Sequence, residues 1–450
     1  MIMITPHRIA SLIATEEARF IHDHPRARTL SERLAQHWHN GVPFHWMLDW
    51  GTPFPLIVER AHGSELITVD GRHFDDFCLA DTGAMFGHSP PAVAAAIQRQ
   101  ATQGLGYMLP GEDTLVVGDL LAQRFGLPWW QITTTASEAN RAVIRWCRGI
   151  TGRRKILVFN GCYHGAVDDV LIDLRDGEPE LRASLIGQVA DPRADTLVIE
   201  FNDLPALERA LATGDIACVL AEPVMTNVGM VLPDPGYWTA ARQMIRAAGS
   251  LLVADETHCI SSGPAGESGR IGLQPDLFVI GKAIAGGVPA AAYGFADHVA
   301  AGMDRVQRER PAGHSGIGTT LSANALAMAA MRAMLEHVIT PASYAHMLPL
   351  AERLVTGLRD VITHHGLAWH VAHVGARVEF VCTPSPPQNG SAARAGMQGD
   401  LERAIHLYLI NRGLLLAPFH NMALISPATT ADQVDRLIAG VDGVAAALTG

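Results

Sequence analysis

The sequence predicts an α/β protein: a large domain on a mostly parallel seven-stranded sheet flanked by helices, with a smaller α+β domain attached. Three observations predict it. Seven short β-rich runs recur between residues 131 and 295, helical segments separate most of them, and from about residue 336 the alternation gives way to long helices with isolated strand-like runs. Strands that alternate with helices form parallel sheets covered on both faces, so their sequences are almost continuously apolar.

Taken in order, residues 1–40 read as helical with an arginine-rich middle. LIVERAHG and SELITVDGRHFDDF read as strands, the second folded back at Asp70–Gly71, a strong hairpin signal. PPAVAAAIQRQATQG is a helix with prolines at its start and Gly104 near its end. The strand series is QITTT (131–135), KILVF (155–159), TLVIEF (196–201), IACVLAEPV (216–224), SLLVADE (250–256), LFVIG (277–281) and AAYGF (291–295). SEANRAVIRWCRGI and GYWTAARQMIRAAG are helices between them. Beyond, helices are expected at 342–366 and 399–412, with strand-like ARVEFVC and LLLAPF, and 383–398 is a Pro/Gly/Ser-rich loop. The expected organisation is an N-terminal segment (1–85) contributing to the small domain and to dimer contacts, a large domain (86–335) and a C-terminal small domain (336–450).

Composition narrows the function classes. The 450 residues are 48% hydrophobic and 18% charged, ample for a large core. The net charge of −11 and the absence of a basic run argue against a nucleic-acid partner. No apolar stretch is long enough to span a bilayer, so no membrane partner is expected. The first residues lack a secretory layout, so a cytoplasmic location is expected. Six scattered cysteines form no CxxC pair, so neither a metal site nor a disulfide framework is indicated. Of 34 basic residues only Lys155 and Lys282 are lysines, and arginine cannot form an imine.

Four stretches carry chemistry. In LLVADETH, Asp255 closes a very apolar run, where a parallel sheet presents its ligand-binding loops. A carboxylate there needs a cation or good donors, and a protonated pyridine nitrogen is a suitable partner; helix capping or an ordinary ion pair is the plainer alternative. In DLFVIGKAIAGG, Lys282 follows a buried strand, where partial desolvation favours a neutral, nucleophilic amine that can also shuttle a proton. In QITTTASEAN, backbone N–H groups at a helix start, with the hydroxyls of Thr135 and Ser137, suit a phosphate. Either hydroxyl is also an ordinary cap, and Glu138 an ordinary first-turn acid. In NGCYHG, Tyr163 after a strand suits stacking on a pyridine ring, or plain core packing. Their order is phosphate turn, aromatic, acid, lysine, with 27 residues from Asp255 to Lys282.

With these residues the chain resembles the class III (omega) aminotransferases, which depend on pyridoxal 5′-phosphate (PLP) and have PLP fold type I. Within them it is similar to the glutamate-1-semialdehyde aminomutase branch. The likeness runs from about residue 53 onward. It is densest in GHSPPAVAAAIQRQ, RAVIRWCRGITGRRKILVFNGCYHGAVDD, EPVMTNVGMVLPDPGY, LLVADET, PDLFVIGKAIAGGVPAAAYG and TTLSANALAMAA, with GCYHG and TLSxN the most specific. The resemblance implies PLP as cofactor and gives Lys282 the role of Schiff-base lysine and Asp255 that of partner to the pyridine nitrogen. It implies Tyr163 as the stacking aromatic and Asn227, in EPVMTN, near the phenolic oxygen. Thr135, Ala136 and Ser137 match the phosphate loop; His164, Glu222 and Thr257 fall within matched cofactor-binding stretches. Thr320 matches a threonine that reaches the phosphate from a neighbouring subunit, which implies a homodimer with shared active sites.

The chain departs from the family's pattern in places. Ala136 stands where glycine is usual, and Thr257 where valine is common. His258 is atypical, a candidate pocket residue or a plain core histidine. The early loop in which the branch carries a carboxylate-binding arginine is here GVPFHWMLDW, with His45, Trp46 and Trp50. Where the branch contributes an acid near the C-terminus, LAPFHNMALIS supplies His420, Asn421 and Met422. Both changes take charge from the expected pocket, unless an arginine such as Arg270 swings in. The expected function is therefore a PLP-dependent aminotransferase taking nitrogen from an amine or β-amino acid, aromatic ones included, to a keto or aldehyde acceptor. The alternatives are a glutamate-1-semialdehyde-type 2,1-aminomutase, an amino-acid racemase and, remotely, a non-catalytic PLP-binding protein.

Overall fold

The computed structural model describes residues 4–309 and 316–450. Two compact units are present: one comprises Met1–Pro90, Ala342–Pro386 and Gly396–Gly450, the other Pro91–Pro341 and Pro387–Ala395.

The second unit is built on seven strands: β1 (Trp129–Thr133), β2 (Lys155–Phe159), β3 (Thr196–Ile199), β4 (Ile216–Ala221), β5 (Leu251–Asp255), β6 (Leu277–Ile280) and β7 (Ala291–Phe295). Their order across the sheet is β1-β7-β6-β5-β4-β2-β3. Only β7 runs antiparallel to its neighbours. Alternate side chains enter two cores, as the period of a strand requires. Ile156, Val158, Leu220 and Val253 meet Val143 and Cys147 of helix α1 (Ala136–Thr151) and Val299 of helix 297–308. Leu157, Phe159, Val219 and Leu252 meet Leu207, Trp238 and Ile245 on the other side. Helices therefore cover both faces, and the strands had to be apolar throughout.

The other unit holds the predicted hairpin. Glu65–Thr68 pairs antiparallel with His73–Asp76. Gly71, at φ +74°, donates its N–H to the Thr68 carbonyl at 2.8 Å to close the turn. A second sheet joins His370–Val374, Arg377–Val381 and Met422–Leu424. Phe20, Phe74, Leu79, Met422 and Leu424 form a core there.

Several expectations need correction. The first sheet strand ends at Thr133 and not Thr135, because Thr135 caps α1: its hydroxyl accepts from Glu138 N at 3.3 Å. The 383–398 segment, expected as loop, contains the helix Gly390–Ala395. That helix belongs with the sheet unit and not with 336–450, since Asn160 Nδ2 donates to Ser391 Oγ at 2.9 Å. An unexpected hairpin, Ile172–Arg175 with Glu178–Leu181, turns at Asp176–Gly177, the dipeptide signal already used at Asp70–Gly71. Among the described residues no helix is long and apolar enough to cross a membrane.

Candidate active site

Asp255 ends β5 and is buried. Its Oδ2 accepts from His164 Nδ1 and from Asn140 Nδ2, both at 2.9 Å, and its Oδ1 accepts from Thr257 N at 3.1 Å. Burial alone would raise its pKa, but the His164 hydrogen bond and charge, with help from Thr257 and Asn140, outweigh it and hold the carboxyl at about 2. Burial likewise opposes the His164 imidazolium, yet Cys162 and Asp255 push His164 up to about 10. Asp255 is therefore a fixed anion with its donors already arranged.

Asn140 was not singled out in the sequence. It occupies the buried stripe of α1 with Val143 and Cys147, at the i, i+3, i+7 spacing of an inward face. A polar residue in an apolar stripe was the available signal. Its amide also donates to the His164 carbonyl at 3.0 Å, which ties the loop after β2 to the helix.

The phosphate-loop candidates lie at the start of α1. Thr135 spends its hydroxyl oxygen on the cap, and Glu138 reaches back to Thr134 N at 2.9 Å, so it is more than a first-turn acid. Ser137 Oγ accepts from Ala166 N at 3.0 Å. Gly165, at φ +86°, makes that approach possible, because a Cβ there would lie 2.1 Å from Ser137 Oγ. Ala136, the unusual residue, packs over Gly281, where a Cβ would lie 2.9 Å from the Ala136 methyl. Thr320 is exposed; its neighbour Thr319 has its hydroxyl 3.3 Å from Thr134 Oγ1.

Tyr163 is half-buried in the loop after β2. Glu222, just past β4, is buried and accepts from Thr226 Oγ1 at 2.6 Å and Asn227 Nδ2 at 3.0 Å, so it fixes Asn227. Burial pushes its pKa up. Lys282 follows β6 at φ +48°, a left-handed conformation that non-glycine residues adopt at a cost. Its Nζ lies 2.6 Å from Nε2 of the buried His258.

The remaining candidates lie in the other unit. Trp46 meets Phe419 edge-on at 4.8 Å, and His45 lies 4.7 Å from Trp46. Trp50 is half-buried and packs against the apolar core around Phe20. His420 is buried and pairs through Nδ1 with Glu379 Oε1 at 2.9 Å. Asn421 Nδ2 approaches Cys382 Sγ at 3.9 Å. Charge is therefore not removed here: the Glu379 carboxylate stands beside His420, and buried Arg377 donates to Thr82 Oγ1 at 2.6 Å. Arg270 is engaged through Nε and Nη2 by both oxygens of Glu267, at 2.7 and 2.6 Å.

Residues 47–442 match the family model for class-III aminotransferases. The chain belongs to the class-III aminotransferase family. It is 33% identical over 394 residues to the glutamate-1-semialdehyde 2,1-aminomutase of Anaeromyxobacter dehalogenans, covering 86% of this chain and 89% of that one. It superposes with a TM-score of 0.97 on a glutamate-1-semialdehyde aminomutase from Pseudomonas aeruginosa PAO1, at 45% identity and with 99% of each chain covered; a variant of that protein is known in complex with PMP. A β-phenylalanine aminotransferase from Variovorax paradoxus superposes with a TM-score of 0.86 at 26% identity, with 97% of each chain covered.

The fold of this class-III member is PLP fold type I and its cofactor is PLP. The residues present fit that group. A buried carboxylate suits a ring N–H⁺, the start of the 16-residue helix α1 suits a phosphate, and a lysine amine stands at the end of β6. Among the described residues the buried Thr257 Oγ1 and Asn140 Oδ1 have no hydrogen-bond partner and remain available to a ligand or water. Among the described residues no group of three His, Cys, Asp or Glu side chains is placed to hold a metal ion.

Proposed function

We propose that this protein moves an amino group between carbon atoms, with Lys282 holding the cofactor. The observation that carries this reading is the convergence of Asp255, fixed as an anion by three donors, and Lys282, at the ends of adjacent strands β5 and β6. When bound, PLP supplies an electron sink that lets nitrogen leave one carbon and return to another. Asp255 would keep the ring nitrogen protonated. The start of α1 at Thr135, Ala136 and Ser137 would hold the phosphate, with Thr320 of a second copy completing it in a homodimer. Tyr163 and Thr257 would cover the ring, and Asn227, held by Glu222, would face its oxygen. Lys282 Nζ would move a proton between the two carbons that flank the nitrogen.

We put the intramolecular version first, in which nitrogen moves between neighbouring carbons of one small amino aldehyde; the similarity to proteins named glutamate-1-semialdehyde aminomutase supports it. This reverses the order of preference that the sequence suggested. Glu379 beside His420 supports the reversal, because it brings an acid to the stretch LAPFHNMALIS, which has none of its own. The second reading, an aminotransferase acting on an amine or β-amino acid, is favoured by GVPFHWMLDW, which offers aromatics and no arginine.

The test incubates the purified, PLP-loaded protein with glutamate 1-semialdehyde, and separately with an aromatic amine, a β-amino acid and an α-amino acid. The visible band of the cofactor and the products are followed. Formation of the isomeric amino ketone without a second substrate establishes the mutase. Loss of the band with an amine or β-amino acid, with a carbonyl product, establishes the aminotransferase. A protein that shows no cofactor band, or no change with any of the four, sinks the reading.

A further inference from the structure

We infer that His258 is a positioning residue for Lys282: its Nε2 accepts the proton that Nζ must shed before the amine can act as a nucleophile. This rests on the reading of Lys282 as the residue that holds the cofactor, and adds a group to which no role has been assigned.

The argument begins with register. Strands β5 and β6 are parallel neighbours, and Asp255 pairs with Val279. Three residues beyond each partner lie His258 and Lys282. The two chains leave the sheet together, since Glu256 N donates to the Val279 carbonyl at 2.8 Å. The side chains meet at 2.6 Å, Nε2 to Nζ. At that separation only one proton fits between the nitrogens, so one of them carries a lone pair directed at the other.

Both sides of the contact are held. Lys282 sits at φ +48° after Gly281, whose position is closed by the Ala136 methyl. His258 is 6% exposed and lies in the loop anchored by Thr257 N on Asp255 Oδ1. A buried imidazole facing the amine that does the chemistry is poorly explained as packing, because an apolar side chain would fill the space without polar cost.

The proton balance is simple. An ammonium at Nζ passes one proton to Nε2, which leaves a neutral amine beside an imidazolium; no electrons are exchanged. An ordinary imidazolium is a stronger acid than an ordinary ammonium, so the transfer is drawn forward only as the neutral amine is consumed by its electrophile, and the imidazolium then returns the proton to water.

The chain itself supplies the control, since Lys155 is its only other lysine. The full-length protein is freed of cofactor by dialysis against an amine and treated at neutral pH with an N-hydroxysuccinimide acetyl ester. Acetylation of Lys282 is read by peptide mass spectrometry relative to Lys155, in the parent, in His258→Gln and in His258→Phe. Gln keeps an acceptor oxygen but cannot take up the proton. Thermal melting and the Lys155 rate show whether each variant is folded. We expect Lys282 labelling to fall roughly tenfold or more in both variants. Normal labelling in His258→Gln with slow labelling in His258→Phe would reduce His258 to a hydrogen-bond acceptor and overturn proton acceptance. Normal labelling in both overturns the inference altogether. No substrate is involved, so the result stands apart from whether the protein proves to be a mutase or an aminotransferase.

Discussion

Asn140 Nδ2 lies 2.9 Å from Asp255 Oδ2, a contact between side chains 115 residues apart that joins α1 to the end of β5. It makes Asn140 part of the electrostatic support of the candidate site. Replacing it with Leu leaves the carboxylate with two donors and removes the tie to the His164 carbonyl. Asn140→Leu should lower stability by about 1–3 kcal/mol, read as a lower urea midpoint, and weaken PLP retention on dialysis. An unchanged midpoint with unchanged retention would show that the contact does not matter.

His164 carries more. It and Asp255 form a buried pair, and removing one partner leaves a charge without compensation. His164→Ala should cost about 3–5 kcal/mol in the cofactor-free protein. His164→Asn, which retains a donor, should recover part of that. A loss below about 1 kcal/mol for the alanine variant would mean that the charge is compensated elsewhere.

The pH dependence follows from the directions of the shifts. Asp255 is lowered from 3.8 to about 2, so its contribution is complete above the unfolded value and is lost as pH falls toward 2. His164 is raised from 6.5 to about 10, so its contribution is complete below 6.5 and is lost as pH rises through 10. The pair is therefore nearly flat between the two unfolded values. His406 changes within that window: burial lowers it from 6.5 to about 4, so the unfolded chain binds a proton that the native one refuses. Glu256 opposes it, because burial raises it from 4.5 to about 7 and stability falls as pH rises across that range. The His406→Leu difference isolates one term. Relative to the parent, its stability should rise less steeply from pH 4 to 6.5, by up to about 1.4 kcal/mol per pH unit. Parallel curves from denaturation at several pH values would refute this.

Gly165→Ala tests the phosphate loop. The new methyl would strike Ser137 Oγ, and the backbone there is at φ +86°. The variant should lose more than about 1 kcal/mol of stability and bind PLP more weakly in a titration of the visible band. Gly177→Ala is the control, since it shares positive φ but meets nothing within 4 Å. Equal effects at both positions would assign the loss to backbone strain alone.

Much of the sheet unit was legible because its physics is local. Strands buried on both faces read as apolar runs, and a turn at Asp70–Gly71 announces itself. Lys282 stood out because lysine is nearly absent, and Asp255 because an acid closes an apolar strand. Ends were less legible: Thr135 continues a β-rich run in sequence, yet its hydroxyl serves the helix that follows. The helix Gly390–Ala395 was hidden because its short Ala- and Arg-bearing run lies inside a Pro/Gly/Ser-rich stretch, where Asn160 Nδ2 anchors Ser391.

The sequence by itself determined the fold class and the family, and it singled out Lys282 and Asp255. Tertiary structure alone decided which neighbours those residues have. Asn140 and His164 reach Asp255 from another helix and another loop, Glu379 returns an acid to His420, and His258 meets Lys282 through the register of two parallel strands. The reason is physical: residue type and local spacing are written along the chain, whereas hydrogen bonds and charge pairs act over about 3 Å in space and join positions that the chain keeps far apart.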